Sequence, residues 1–475
     1  MSSSRSRLNR LIRKGRKTIH ETQQHSRYAS ATKPEPVPSD PIKFATEWLS
    51  FQPTPYQAEL LTDASKRIVV VFPRQSGKTT TLAIRMIHFA LTNANTTSLI
   101  VAPGLRQSMI VMDRIQEQIS HIPPKRRRER FQQIKRTTIT LKNGSKLVAL
   151  PCSVDLLRGY AANLLVADEV SFFADDQTVF YNVLFPMLQT TDGTLIASST
   201  PWGKDSVFYK FTQDHAFKVH RITIEAVINA GLATRDFIQE MERRTPAERY
   251  RREYLAEFVD DELSYFPQKL ITQCIDSNLS PITDDWTKNV RAKIGRYFVG
   301  VDFGKHNDRS AIAVVQLDQN LVKLTGMVRF PLETPYASVI GYVKVICDKL
   351  NRVEKTLCDQ TGVGEYIVED MKEARIRSTL QGITLTLPSK QEMLSHMKQL
   401  MQTKGLALYY DADLIAEINV ETFELTKTGQ IQFSHPTGTH DDQLWSLALA
   451  VYATRTLDTS FMTVGYGVPS SFLAR

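Results

Sequence analysis

The stretch RIVVVFPRQSGKTTT, residues 67–81, decides how the first half of this chain is read. Its opening, RIVVVF, has the length and apolarity of a short buried strand, and TTTLAIRMIHFAL after it has helical spacing. Between them Gly77, Lys78 and Thr79 fit the end of the phosphate-loop pattern G-x-x-x-x-G-K-[ST]. In that pattern the glycine lets backbone N–H groups turn toward phosphate, the lysine neutralises β/γ charge and the hydroxyl ligates Mg²⁺. The helix N-terminus favours an anion as well. One position departs from the pattern: Phe72 stands where the first glycine is usual.

Outward from the loop, apolar runs recur at TSLIVAP, SKLVALP, NLLVADEV and TLIASSTP, separated by helical segments such as 79–92 and 106–120. Strands alternating with helices predict a mainly parallel sheet covered on both faces. NLLVADEV sets Asp168 and Glu169 straight after a buried strand. The first can hold Mg²⁺ and the second can polarise an attacking water. Two acids at a strand end also read as an ordinary helix start, but with the phosphate loop nearby they predict hydrolysis of ATP with Mg²⁺. Residues 234–262 read as charged helix, and SNLSPITDDWTKN (277–289) as a polar connector.

A second α/β unit with a mixed sheet begins at RYFVGVDFG and continues through SAIAVVQLDQNLVKLTGMVRF as an antiparallel pair. Asp302 lies inside its first strand, where an acid is costly to bury without compensating charge or metal. Asp359 ends the strand KTLCD, and Asp441 and Asp442 open the apolar helix DDQLWSLALAVYATR. Acids carried by two strands and a helix suit a phosphodiester site holding two Mg²⁺ or Mn²⁺ ions. Asp302, Asp359 and one of Asp441 and Asp442 are the candidate ligands; adjacent helix residues face about 100° apart, and the sequence leaves open which of the two points inward. Asp308 is an auxiliary or a turn residue, and His440 an auxiliary or a neighbour of the helix cap. Lys390, in LPSKQEMLSHMKQLM, is a surface lysine or a contact to substrate phosphate.

Much of the formal charge of +9 sits in residues 1–40, which carry nine Lys/Arg against three acids and close in a Pro-rich linker. This tail lacks the apolar core of a secretion signal, and is read as solvated or as an arm touching nucleic acid. The run PPKRRRERFQQIKR, 123–136, is a solvated helix face or a contact to DNA or a neighbouring subunit. No stretch approaches a membrane-spanning length, and the four cysteines show neither metal-ligand nor disulfide spacing. A soluble intracellular protein is expected.

Several short stretches resemble one family, the large terminase subunits that package DNA in tailed phages and related viruses. PTPYQAELL resembles its adenine-contacting glutamine motif, with Tyr56 and Gln57. RQSGKTT is similar to its deviant phosphate loop, in which Arg74, with Gln75 and Ser76, replaces part of the glycine-rich turn; the departure at Phe72 is thus the family's own. LLRGYAANLLVADEV resembles its Arg-Gly element and implies Arg158 as an arginine finger, in cis or in a neighbouring subunit. IASSTPWG is similar to its coupling motif, with Ser199 and Thr200, and ERYRREYLAEFVDDE to the segment that ends its ATPase domain. Without the resemblance, Arg158 is a surface arginine, Ser199 and Thr200 a strand-end turn, and Gln57 a helix-surface amide.

The resemblance implies a basic tail at 1–40, a P-loop ATPase domain at 41–262, a linker at 263–295, a ribonuclease H-like nuclease domain at 296–457 with Asp302, Asp359 and Asp442 as its metal ligands and Asp441 the alternate, and a tail at 458–475. It also implies an ATP-driven translocase of double-stranded DNA that cuts concatemers with its metal-dependent nuclease. The partners implied are a portal protein of the procapsid and a small terminase subunit. A pentameric ring when docked, and a monomer when free in solution, are implied as well. The place implied is the host cytoplasm and, transiently, the procapsid. Rival readings are a helicase-nuclease of repair or defence, and a non-catalytic DNA-binding adaptor.

Overall fold

The computed structural model describes residues 35–245, 247–259, 264–288, 290, 294–304, 308–361, 364–425, 431–434 and 440–455. Nearly all of the basic tail and the whole C-terminal tail lie outside them.

The first half is built on an eight-stranded sheet. Its strands are β1 (Arg67–Val71), β2 (Thr97–Ala102), β3 (Phe131–Ile134), β4 (Thr138–Leu141), β5 (Lys146–Pro151), β6 (Leu164–Asp168), β7 (Thr194–Ser198) and β8 (Lys218–Arg221), in the order β3-β4-β5-β2-β6-β7-β1-β8. From β5 to β8 all neighbours are parallel. Both faces are covered, as the continuous apolar runs predict. Ile68, Val70, Ile100, Val166 and Ile196 pack under α1 (Pro41–Leu49), α2 (Pro55–Thr62), α3 (Lys78–Thr92) and α4 (Leu105–His121), while Val69, Val71, Val101, Ala167 and Ala197 pack on the other side. Because β7 alone separates β1 from β6, the phosphate loop and the acid pair emerge side by side at the carboxyl end of the sheet.

Two expectations need correction. The basic run 123–136 is helical only over α5 (Pro124–Arg130); from Phe131 it becomes β3, extending the sheet in antiparallel fashion through β4. The stretch 234–262 is not one helix. It divides into α6 (Arg235–Arg244) and α7 (Ala247–Glu253), with Thr245 extended between them. Pro246 supplies the reason: its ring disfavours helical backbone at the residue before it. Beyond α7 the chain leaves the helix, and Ala256 adopts a left-handed φ of 54°.

The second sheet has six strands: β9 (Arg296–Asp302), β10 (Ala311–Asp318), β11 (Leu321–Arg329), β12 (Val353–Asp359), β13 (Thr379–Ile383) and β14 (Leu406–Ala407). Their order is β13-β12-β9-β10-β11-β14. β9, β10 and β11 form an antiparallel meander, and β12 and β13 run parallel to β9. This strand order and mixture of directions is that of the ribonuclease H-like fold. A hairpin, Thr422–Leu425 with Ile431–Ser434, stands apart from it. One face packs on α8 (Gln268–Gln273), α10 (Leu387–Gln402), α11 (Ala412–Val420) and α12 (Asp442–Ala453); the other packs on α9 (Tyr336–Lys349). At Gly300 an added Cβ would lie 2.0 Å from the Ser446 carbonyl oxygen and 2.4 Å from the Ala450 nitrogen, so β9 and α12 touch backbone to backbone. The connector 277–289 has no helix or strand among its described residues, as expected, yet it is anchored. Trp286 is fully buried on the α9 face and lies over Gly326.

Candidate active sites

Gly77 takes φ 78°, and a Cβ there would meet the Gln57 amide nitrogen at 2.4 Å, so only glycine fits the turn. Below it, the Tyr56 hydroxyl (2.9 Å) and the Gln57 amide (3.2 Å) both donate to the Ser76 carbonyl, and Gln57 Oε1 accepts from the Thr54 N–H at 2.9 Å. Gln57 is thus a buried brace of the loop, not a surface amide; both ends of its side chain are occupied within the chain. Above the loop, Lys78 Nζ lies 3.5 Å from an oxygen of Asp168 and 3.5 Å from one of Glu169. Burial works against the ammonium, but Glu169 and Asp168 outweigh it and hold its pKa above the usual lysine value. The Glu169 carboxyl is pushed up by burial, against the pull of Lys78. The Lys78 ammonium itself is out of contact with solvent and is held between these two carboxylates.

Strand ends fix the acids. The Ser198 hydroxyl donates to Asp168 at 2.9 Å, from the neighbouring register position on β7, and the Ser199 hydroxyl reaches Glu169 at 3.4 Å. Glu169 itself is in the left-handed region, φ 55°, a conformation that costs about 1 kcal/mol or more in a residue other than glycine. A cavity of about 300 Å³ opens over Arg74, Gln75, Ser76, Gly77, Lys78 and Thr79, walled also by Glu169 and Thr200. Arg74 bonds Glu253 at the end of α7, through its side chain at 3.1 Å and its N–H at 2.8 Å. Arg158 is not brought to this cavity: it ends the short helix Val154–Leu157 and is exposed.

In the second half, register does the assembling. Val301 pairs with Cys358 across parallel β9 and β12, so the next residues, Asp302 and Asp359, end the two strands side by side. Alternation puts them on the face of Phe298 and Leu357, the face that α12 covers. There α12 begins with Asp442, which is 2% exposed and accepts from the Arg309 N–H at 3.3 Å. Asp441 turns back on its own helix and accepts from the Trp445 indole at 2.6 Å. Burial raises the Asp302 carboxyl well above the ordinary range, and Asp442, Asp359, Asp441 and Asp308 raise it further. Burial and Glu417 push Asp442 up to about 7. Burial also raises Asp359, opposed by Thr361 and Lys390. One carboxylate oxygen each from Asp308 and Asp442 and a ring nitrogen of His440 lie within 4.8 Å of one another, a group fit for a divalent cation.

Lys390 is half-buried, its ammonium 4.7 Å from the Trp445 ring centroid, and its charge acts on the Asp359 carboxyl. The sequence reading missed Glu417. Its carboxylate accepts from the Gln443 N–H at 2.7 Å and side-chain amide at 2.8 Å, fixing the start of α12, and burial pushes it up to about 7. A signal was present, since Glu417 sits among apolar residues in LIAEI as Asp302 does in its strand. Tyr410, in the wall of the first cavity although it belongs to the second half, was missed too, and nothing local announces it.

The family model described as terminase large subunit, T4likevirus-type, N-terminal, matches residues 69–273. The chain is 24% identical over 443 residues to the terminase large subunit of Thermus phage G20c, covering 85% of this chain and 88% of that protein. Its identity to the terminase large subunit of Thermus virus P23-45 is likewise 24%, over 447 residues, with 85% and 88% covered. Among solved structures, the large terminase ATPase domain of Thermus phage P74-26 is similar to 46% of this chain over 98% of its own length, at 21% identity and a TM-score of 0.41. The magnesium-bound large terminase nuclease of phage G20c is similar to 40% of this chain over 97% of its length, at 22% identity and a TM-score of 0.34.

Proposed function

We propose that this chain, a relative of the phage terminase large subunits over most of its length, is itself the motor and nuclease of viral DNA packaging. It hydrolyses ATP to move double-stranded DNA into a procapsid, and it cuts concatemeric DNA with a divalent-metal nuclease. The observation that carries this reading is the pairing of two separate acid sites on one chain: Asp168 and Glu169 against Lys78 at the phosphate loop, and Asp302, Asp359 and Asp442 at the carboxyl edge of the second sheet.

In the first site Lys78 is tied to both acids. An arriving triphosphate competes for its ammonium, which releases Glu169 to orient and polarise water in line with the γ-phosphorus. Mg²⁺ accompanying the nucleotide neutralises phosphate charge, and Thr79 and Asp168 are the residues to hold it. Ser199 and Thr200 contact the Glu169 carboxylate, which supports a role for them in registering loss of the γ-phosphate. Tyr56 and Gln57 act by bracing the loop, and Arg74 by joining it to α7. Arg158, exposed, serves as an arginine finger to a neighbouring subunit.

In the second site, two Mg²⁺ or Mn²⁺ ions would activate water and stabilise the leaving oxygen. Asp302, Asp359 and Asp442 are the ligands proposed, with Asp308 and His440 auxiliary; Asp441, bonded to Trp445, is the weaker choice. The domains proposed are ATPase at 41–262 and nuclease at 296–457, joined by the linker 263–295. The partners are the portal, a small subunit and copies of this chain in a ring, assembled in the host cytoplasm. Among the described residues no helix is long and apolar enough to cross a membrane.

Purified protein tests both halves. Lys78→Ala should reduce ATP hydrolysis at least about a hundredfold and leave Mn²⁺-dependent plasmid nicking intact; Asp302→Ala should do the reverse. Unimpaired hydrolysis in the first variant, or unimpaired nicking in the second, removes the corresponding half of the assignment.

A further inference from the structure

We infer that Tyr410, contributed by the second half of the chain, is a wall of the triphosphate cavity and a positioning residue for hydrolysis, so that the cavity is complete only while the two halves are docked. The inference rests on the ATPase reading above. Apart from Tyr410 and Ala412, every residue lining the cavity comes from the first half. The backbone at Tyr410 is held on both sides. Leu408 exchanges backbone hydrogen bonds with Cys274 (2.8 Å) and Asp276 (2.9 Å), and Asp411 caps α11, accepting from the N–H groups of Asp413 and Leu414 at 3.1 Å each.

The ring meets the segments that carry the reacting groups. Tyr410 packs edge-on against Phe172, with centroids 5.2 Å apart, and Phe172 packs in the same way against Trp202 at 4.9 Å. Phe172 is three residues beyond Glu169, and Trp202 is two beyond Thr200. Gln268 clasps the same two turns, donating to the Ser171 carbonyl at 2.7 Å and accepting from the Gly203 N–H at 2.8 Å. Arg252 stacks on Trp202 at 4.6 Å and donates to Asn419 of α11 at 2.7 Å. The Tyr410 hydroxyl pKa is raised well above its usual value by burial and then by Glu169 and Asp168, in keeping with its place beside the acid pair.

A ring in this position excludes bulk water from the side of Glu169. Inside such a screened cavity the charges of Lys78 and Glu169 act on the reacting phosphate at low effective dielectric, and the attacking water is confined to one place. Removing the ring therefore weakens the chemical step more than nucleotide capture, which the phosphate loop performs alone.

The test uses the full chain. Steady-state ATP hydrolysis with Mg²⁺ is measured for Tyr410→Ala and Tyr410→Phe, with kcat and KM resolved, beside Mn²⁺-dependent nicking and the melting temperature. Tyr410→Ala should lower kcat about tenfold with KM within about threefold, while Tyr410→Phe, which keeps the ring, stays within about twofold of the parent. Nicking should match the parent in both, while melting is lowered by loss of the packed ring in the alanine variant and unchanged in the phenylalanine variant. The inference is overturned if Tyr410→Ala leaves kcat within about twofold, if the phenylalanine variant falls as far as the alanine, or if nicking at the same temperature declines together with hydrolysis. Hydrolysis that survives Lys78→Ala would instead overturn the ATPase reading, a separate result.

Discussion

Asp302 is the residue at which the second site's chemistry and its cost coincide. Its carboxyl is part-buried near four other aspartates, and it is raised far above the ordinary range, first by burial and then by their charge. An acid whose folded pKa lies above its unfolded value binds its proton more tightly in the folded chain. Its contribution to stability is therefore full below about pH 4, the unfolded carboxylate range, and is lost as pH rises through its folded value, as are those of Asp442 and Glu417 as pH rises through about 7. With a chelator present, Asp302→Asn should raise the melting temperature at pH 8 by several degrees and by less at pH 5, while abolishing nicking. Mn²⁺ should stabilise the parent at pH 8, less so at pH 5 where protons already occupy the carboxyls, and should stabilise the variant little. Scanning melts at the two pH values, with and without Mn²⁺, check all of this; a variant that melts lower than the parent in chelator at pH 8 would contradict it.

Elements set what a residue can reach. Gly300 allows α12 to lie directly on β9, which is how Asp442 at the helix start comes to face Asp302 on the strand. In Gly300→Ala the new methyl meets backbone on the helix, which cannot rotate away. The variant should lose about 3 kcal/mol of stability, and its nicking should fall further than its ATP hydrolysis. Equal loss in both activities would mean that the contact matters to the fold at large and not to the acid site. How far such features were legible depends on their range in sequence. The alternation of apolar runs was enough to foretell the parallel strands, because each is buried on both faces, and an acid inside such a run marked Asp302. The antiparallel turn of the sheet through β3 and β4 was hidden, since Phe131–Ile134 follows a run of arginines and three of its four side chains are exposed. Glu417 was overlooked because its helix reads as ordinary core. Tyr410 could not be found locally at all: its neighbour Phe172 belongs to the other half of the chain, and only the folded topology brings the two rings together.

At the scale of the whole molecule, the two sheets keep separate cores but share one seam of aromatic and amide contacts beside the phosphate loop. The connector belongs energetically to the second sheet, where Trp286 fills the α9 face together with Tyr297, Val299 and Val343. Trp286→Ala should cost about 3–5 kcal/mol, and thermal inactivation of nicking should set in at lower temperature than in the parent. An unchanged inactivation profile would show that the ring is dispensable. Upstream, Tyr265, Phe266 and Ile271 are packed into that same half. On the other side Ala256 lies in the core of the first sheet and the Val259 N–H donates to the Trp202 carbonyl at 3.2 Å, so the tether between the two halves is gripped by both and their seam beside the phosphate loop is held from either end.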